Sequence, residues 1–162
     1  HSDLRRQRQM CIRDSSAALS LASENSQIHA VDGMVRGDLL SWCRSSCVDI
    51  IIANPPYVDA DDMCGLPAEY RHEPGLALAG GEDGLDLVRV LLTDAARILR
   101  PTGILILEVG NSFGALDDLS DQLHPIWVEL EQGGHGVAVF MAQDLAQWAV
   151  SEDTTNPVVS AK

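Results

Sequence analysis

The chain has 162 residues, 46% of them hydrophobic and 22% charged, which is enough for one domain with a real core and excludes general disorder. Eleven Lys and Arg against 24 Asp and Glu leave a net charge of −13 and a pI near 4.5. That balance argues against a protein that neutralises nucleic-acid phosphates and favours a basic partner.

Residues 1–15, with Arg5, Arg6, Arg8 and Arg13, carry no periodicity that continues beyond residue 15. They read as a non-native or disordered arm, and they lack the apolar stretch of a secretory signal. No apolar run reaches the roughly 18 residues of a membrane span, so a cytoplasmic protein is expected. Residues 16–25 read as a short helix, with Ser15 or Ser16 as cap and Asn25 at its end. Residues 34–38 read as a short strand ending in an acidic turn. Residues 48–53 form a β-branched run without alternation, the pattern of a strand buried on both faces of a parallel sheet. Asn54-Pro55-Pro56 stops that strand, because neither proline can donate to a ladder.

Residues 57–83 read as one long polar loop, of a length that in compact domains points to function. Asp83 or Gly84 then opens an amphipathic helix with Leu85, Leu87, Val88, Leu91, Leu92, Ala95, Ala96 and Leu99 at helical spacing, ended by Pro101. Residues 103–109 read as a second fully buried strand. Residues 112–123 read as a helix capped by Asn111 or Ser112, with Asp117 and Asp118 outward. Residues 126–131 alternate as a half-buried strand, and residues 137–141 form its antiparallel hairpin partner across Gly133-Gly134-His135-Gly136. Residues 142–150 read as a last short helix and residues 151–162 as a polar tail, so the folded domain is expected over 16–150.

Strand–helix alternation with a terminal antiparallel hairpin predicts an α/β fold built on a doubly wound sheet with helices on both faces. Ligands in such sheets bind beyond the carboxyl ends of the strands, where Asp38, Asn54 and Glu108 fall. Cys11, Cys43, Cys47 and Cys64 form no C-x-x-C and have no histidine pair at ligand spacing, so reduced thiols and no metal site are expected.

Asn54-Pro55-Pro56-Tyr57 is the sharpest signal. Directly after a buried strand, it offers two acceptors to a planar NH2 group, the Asn54 side-chain oxygen and the Pro55 carbonyl. The prolines fix φ, so both acceptors are aimed in advance. Tyr57 adds a flat face for stacking. Two acceptors on one NH2 draw its lone pair out of conjugation and make the nitrogen nucleophilic. A plain strand-terminating turn, with the asparagine as local cap, is the competing reading. Glu108 reads either as a backbone hydrogen-bonding residue or as a catalytic one, and His135 as a turn histidine with a structural or rim role.

The tetrapeptide resembles the motif of amino-directed methyltransferases. Its surroundings resemble the protein-glutamine N5-methyltransferases more narrowly: residues 57–63, 66–74, 76–79 and 84–88, then Glu108-Val109-Gly110-Asn111-Ser112 and residues 131–137. The last two segments favour the branch that modifies ribosomal protein L3. The resemblance covers roughly residues 16–148. It implies a Rossmann-like methyltransferase sheet and S-adenosyl-L-methionine as cofactor. The implied substrate is a glutamine in a basic, L3-like ribosomal protein, with no membrane partner and no nucleic acid as direct substrate. The catalytic residues it implies are Asn54, Pro55, Pro56 and Tyr57. Asp38 and Leu39 would lie against the adenine, with Asn54 shared between cofactor and substrate. Glu69 and His72 would join Asn54, Pro55 and Tyr57 at the glutamine, and Asp59, Asp61, Asp62 and Glu69 would face the basic protein, a plain solvated acidic loop being the competing reading.

The family pattern also has an N-terminal helical domain and a first strand ending in a glycine-rich turn. Residues 1–36 contain no G-x-G, and the acid expected on the second strand would fall near Asp14, inside the arm. The first two strands are therefore expected to be missing, and the chain to be a truncated, weakly active or inactive part of its parent. Two alternatives stay open, an adenine N6-methyltransferase of DNA or RNA, which uses the same tetrapeptide, and a non-catalytic fragment.

Overall fold

The computed structural model describes residues 20, 22–25, 28, 37–65, 77–119, 123–131 and 135–155. The chain divides into two units, His1–Trp42 and Cys43–Lys162. Residues 1–15 and 156–162 lie outside the described residues.

In the first unit, residues 20 and 22–25 are helical, within the helix expected there. The expected strand at 34–38 is corrected over its described part, since Gly37 and Asp38 are in no strand. The Asp38 carbonyl instead closes a turn, accepting from the Ser41 N–H at 3.2 Å and the Ser41 hydroxyl at 2.8 Å. The Trp42 indole N–H donates to the Leu39 carbonyl at 3.1 Å, and Leu39 takes a φ of +44°.

The second unit holds a four-stranded sheet among the described residues, in the order β1 (Val48–Ala53), β2 (Leu99–Glu108), β4 (Val137–Met141), β3 (Ile126–Trp127). Strand β1 runs parallel to β2, while β4 runs antiparallel to both β2 and β3. The β1–β2 crossover is helix α2 (Asp86–Ile98). Its buried residues Val88, Leu91, Leu92, Ala95 and Ile98 recur every three or four positions, as a helix with one apolar stripe requires. Helix α4 (Ala142–Thr155) packs on α2 and on β2. The core between helices and sheet contains Ile51, Leu105, Leu107, Ala138 and Phe140. Leu105 stands opposite Phe140, and Leu107 opposite Ala138. Burying each large side chain of this set contributes about 1.5–3 kcal/mol.

That placement corrects the expectation of strands buried on both faces. Ile51 is 8% exposed, but its neighbours Ile50 and Ile52 are 55% and 77% exposed. In β2, Leu105 and Leu107 are fully buried while Ile104 and Ile106 are half-buried. The reason is that α2 and α4 cover one face, and among the described strands β1 has a neighbour on one side only.

Strand β2 also starts earlier than expected. Leu99 is in phase with the apolar face of α2, yet it is extended, with φ −64° and ψ 142°. Arg100 precedes Pro101, which disfavours the helical region. The register jumps from Val48↔Leu99 to Ile50↔Ile104, so Pro101 sits in an irregularity where its missing N–H leaves no gap in the ladder.

The expected loop at 57–83 is interrupted. It contains helix α1 (Ala60–Gly65) and a parallel bridge between Val58 and Ala79, while residues 66–76 lie outside the described residues. Helix α3 (Phe113–Asp118) is shorter than the expected 112–123. Strand pairing in β3 stops after the Val128 N–H donates to Val137 at 2.8 Å, leaving Glu129 and Leu130 exposed. Helix α4 runs past the expected end at Val150 to Thr155, since no Gly or Pro interrupts it before Pro157. Cys43, Cys47 and Cys64 are free thiols. Among the described residues no helix is long and apolar enough to cross a membrane.

Asp83 fixes the start of α2. Its Oδ1 accepts from the Leu85 N–H at 3.0 Å, and its carboxylate takes both guanidinium nitrogens of Arg89, at 3.1 and 2.5 Å. The Arg89 hydrogen bonds hold the Asp83 carboxyl below its ordinary value. A lowered pKa in the folded state adds stability above the unfolded pKa of about 3.9, and that stability disappears as pH falls through the lower folded value. Both side chains are 40% exposed, so water screens the pair. Asp83→Asn is expected to cost about 0.5–1 kcal/mol at pH 7, with the gap narrowing as pH falls below the unfolded value of about 3.9. Urea melts of both proteins across that pH range check this.

Candidate functional site

The site starts where β1 ends. Asn54 is half-buried, and its Oδ1 is fully enclosed with no hydrogen-bond partner. A buried amide oxygen without a partner costs about 1–3 kcal/mol, so the fold holds here an acceptor that it does not itself use. Pro55 is buried, and Pro56 and Tyr57 are half-buried. The two prolines restrict the chain to one path out of the strand.

Tyr57 is held from the far side by the segment after β2. The Ser112 hydroxyl donates to the Tyr57 carbonyl at 2.7 Å. The Tyr57 ring lies against Gly110, whose φ is +50°. An added Cβ there would fall 2.8 Å from ring Cζ and 3.1 Å from the phenol oxygen. Gly136, with φ +76°, lies against the Gly110 backbone and accepts from the Val109 N–H at 2.7 Å. The Tyr57–Val58 peptide is fixed on its other side too, since the Val58 N–H donates to Leu78 at 2.9 Å.

Asn111 links three pieces of the rim. Its Nδ2 donates to Asp62 Oδ2 of α1 at 3.3 Å. Its Oδ1 is 3.0 Å from His135 Nε2, a pairing that requires the imidazole proton on Nε2. Phe113 meets His135 edge-on at 5.8 Å and Trp127 at 6.2 Å. The Trp127 indole N–H reaches Asp117 at 3.2 Å.

The expected site residues are thus only partly brought together. Asn54, Pro55, Pro56 and Tyr57 form one continuous element at the sheet's carboxyl edge. Asp38 and Leu39 belong to the first unit, in the turn that the Asp38 carbonyl closes. Glu69, His72 and Asp14 lie outside the described residues. Glu108 is half-buried opposite Val137, two residues before Gly110. Asp59 is not simply presented to solvent, because its Oδ1 accepts from the Asp62 N–H at 2.7 Å and caps α1. Among the described residues no group of three His, Cys, Asp or Glu side chains could hold a metal ion.

Sequence reasoning missed Gly110 as the seat of the Tyr57 ring and assigned Ser112 to the wrong task. Helix α3 has Ser112 at its N-cap position without a side-chain capping bond. The available signal was the glycine one residue past a strand end, in Val109-Gly110-Asn111-Ser112, where a tight approach of two chain segments is common.

No protein-family model matches the chain. It is similar to curated proteins named ribosomal protein uL3 glutamine methyltransferase. The one from Francisella tularensis is 36% identical over 137 residues, covering 83% of this chain and 44% of the relative. The one from Bradyrhizobium diazoefficiens is 42% identical over 134 residues, covering 81% and 42%. The one from Burkholderia pseudomallei is 38% identical over 141 residues, covering 81% and 46%. The resemblance carried by the motifs is therefore borne out, and the chain spans less than half the length of each of these relatives.

Proposed function

We propose that this chain carries the amide-binding part of a glutamine N5-methyltransferase that uses S-adenosyl-L-methionine and acts on ribosomal protein uL3. The enclosed, unpartnered Asn54 Oδ1 at the end of β1 carries the reading. It is an unused acceptor of the kind a glutamine side-chain N–H needs, and the names of the similar proteins support the same chemistry.

In this reading Asn54 Oδ1 accepts one N–H of the substrate amide, and the Pro55 carbonyl accepts the other. The Tyr57 ring stacks on the amide plane, so the group cannot turn away from its acceptors. Drawn out of conjugation, the nitrogen lone pair becomes available for an in-line attack, and most of the rate gain comes from this positioning. S-adenosyl-L-methionine, when bound, supplies an electrophilic methyl group on a sulfonium. Attack by the amide nitrogen would form the N–C bond as the C–S bond breaks, with the thioether S-adenosyl-L-homocysteine leaving and the displaced amide proton passing to water. Asp38 and Leu39 are proposed to lie against the adenine, and Glu69 and His72 to line the glutamine pocket. The net charge of −13 suits a basic substrate and speeds its encounter.

The chain alone is proposed to be weakly active or inactive, and its parent active. The test is transfer of labelled methyl from S-adenosyl-L-methionine to purified uL3 by the longest protein that contains this chain. Label on a glutamine side-chain nitrogen is the expected result. Label on adenine in DNA or RNA with none on uL3 would overturn the reading, as would no transfer at all.

A further inference from the structure

We propose that Ser112 is a positioning residue, setting the Tyr57 ring and the Pro55-Pro56 turn through its hydrogen bond to the Tyr57 carbonyl. This rests on the reading of Asn54–Tyr57 as the amide site. Among the described residues Ser112 is the buried polar one, at 4% exposure. Its hydroxyl leaves the capping role of its own helix unfilled and reaches a carbonyl 55 positions away. Room for that bond depends on Gly84, where an added Cβ would overlap both Ser112 Oγ and the Tyr57 carbonyl oxygen.

The bond sits at a point of the turn that the prolines do not fix. Proline fixes φ at 55 and 56, and the bridge to residues 78–80 holds Val58, with the Gly80 N–H donating to the Val58 carbonyl at 2.8 Å. Neither restraint by itself sets the orientation of the Tyr57–Val58 peptide. Its carbonyl is held by Ser112, while its N–H goes to Leu78. The same segment presses Gly110 against the Tyr57 ring, so carbonyl and ring are set from one place. Without the hydroxyl this peptide keeps only its N–H tether to Leu78, so its plane and the ring beside it are less restrained while Asn54 Oδ1 stays in place.

The chain has two tyrosines, Tyr57 and Tyr70. In a Tyr70→Phe background, 3-fluorotyrosine therefore gives a single fluorine signal from Tyr57. Ser112→Ala is expected to broaden or split that signal. Ile98→Val, a core change on α2, serves as the control for general loosening and is expected to leave the signal sharp. If Ser112→Ala does not fold, the near-isosteric Ser112→Cys, a weak donor, is expected to give the same broadening. In the parent protein, Ser112→Ala is expected to lower kcat about tenfold with KM within about twofold, since misplacement affects the reacting geometry more than ground-state binding. A Tyr57 signal unchanged in the serine variants overturns the proposal, and so does an equal change in Ile98→Val. A parent protein that methylates nothing sinks the glutamine reading, whereas the fluorine result still decides the role of Ser112.

Discussion

Asn54→Ala in the parent protein is expected to lower kcat/KM for methyl transfer about 10²–10³-fold, as loss of one preorganised transition-state partner does elsewhere, without lowering the melting temperature. The two halves of this expectation have one cause. Asn54 Oδ1 is enclosed and unpartnered in the described structure, so it contributes nothing to the fold through hydrogen bonding and carries a desolvation cost of about 1–3 kcal/mol. Removing it relieves that cost and offsets the lost side-chain packing. The same oxygen is the acceptor proposed for the reacting amide. Kinetics and thermal melts on one preparation measure both effects. A variant that keeps wild-type turnover, or one that loses turnover only because it melts at the assay temperature, would remove Asn54 from the chemistry.

The second large effect is on the frame around the site. Gly136→Ala is expected to destabilise the protein by about 3 kcal/mol, combining a left-handed backbone penalty with overpacking. At φ +76°, the added Cβ would fall 2.6 Å from the Gly110 nitrogen and 2.8 Å from its Cα. Those are main-chain atoms in the turn after β2, and they cannot rotate aside as a flexible side chain would. With a urea dependence of about 2 kcal/mol per molar, the midpoint is expected to fall by about 1.5 M. A shift under about 0.3 M would mean that the segments carrying Gly110 and Gly136 separate easily.

How much of the fold and site was legible depends on the range of the interaction. Helix α2 is written in local spacing, because Val88, Leu91, Leu92, Ala95 and Ile98 must share one face whatever surrounds them. The stop after Ala53 is equally local, since two prolines end a ladder in any context. The exposure of Ile50 and Ile52 is not local. It depends on where α2 and α4 lie and on which strand stands at the edge, and a β-branched run looks the same in the middle of a sheet as at its margin. Leu99 misled for a related reason, because it continues the helical spacing while the nearby proline turns the backbone extended. The site divides the same way. Asn54-Pro55-Pro56-Tyr57 is contiguous, and its chemistry can be read from residue types. The Ser112 bond to Tyr57 spans 55 positions, and serine before a helix has an obvious local role that hid the distant one.

Among the described strands β1 lies at an edge of the sheet, and such an edge bears on behaviour in solution. With one neighbour among the described strands and with Ile50 and Ile52 exposed, it is a template for pairing with a strand from another copy. Two copies carrying −13 each repel one another, but over about 10 Å at 0.1 M salt and about 3 Å at 1 M. The acidity thereby keeps the edges of separate molecules apart. That protection weakens as salt rises or as pH approaches the pI near 4.5, and strand-to-strand association then becomes the favoured fate of the free edge.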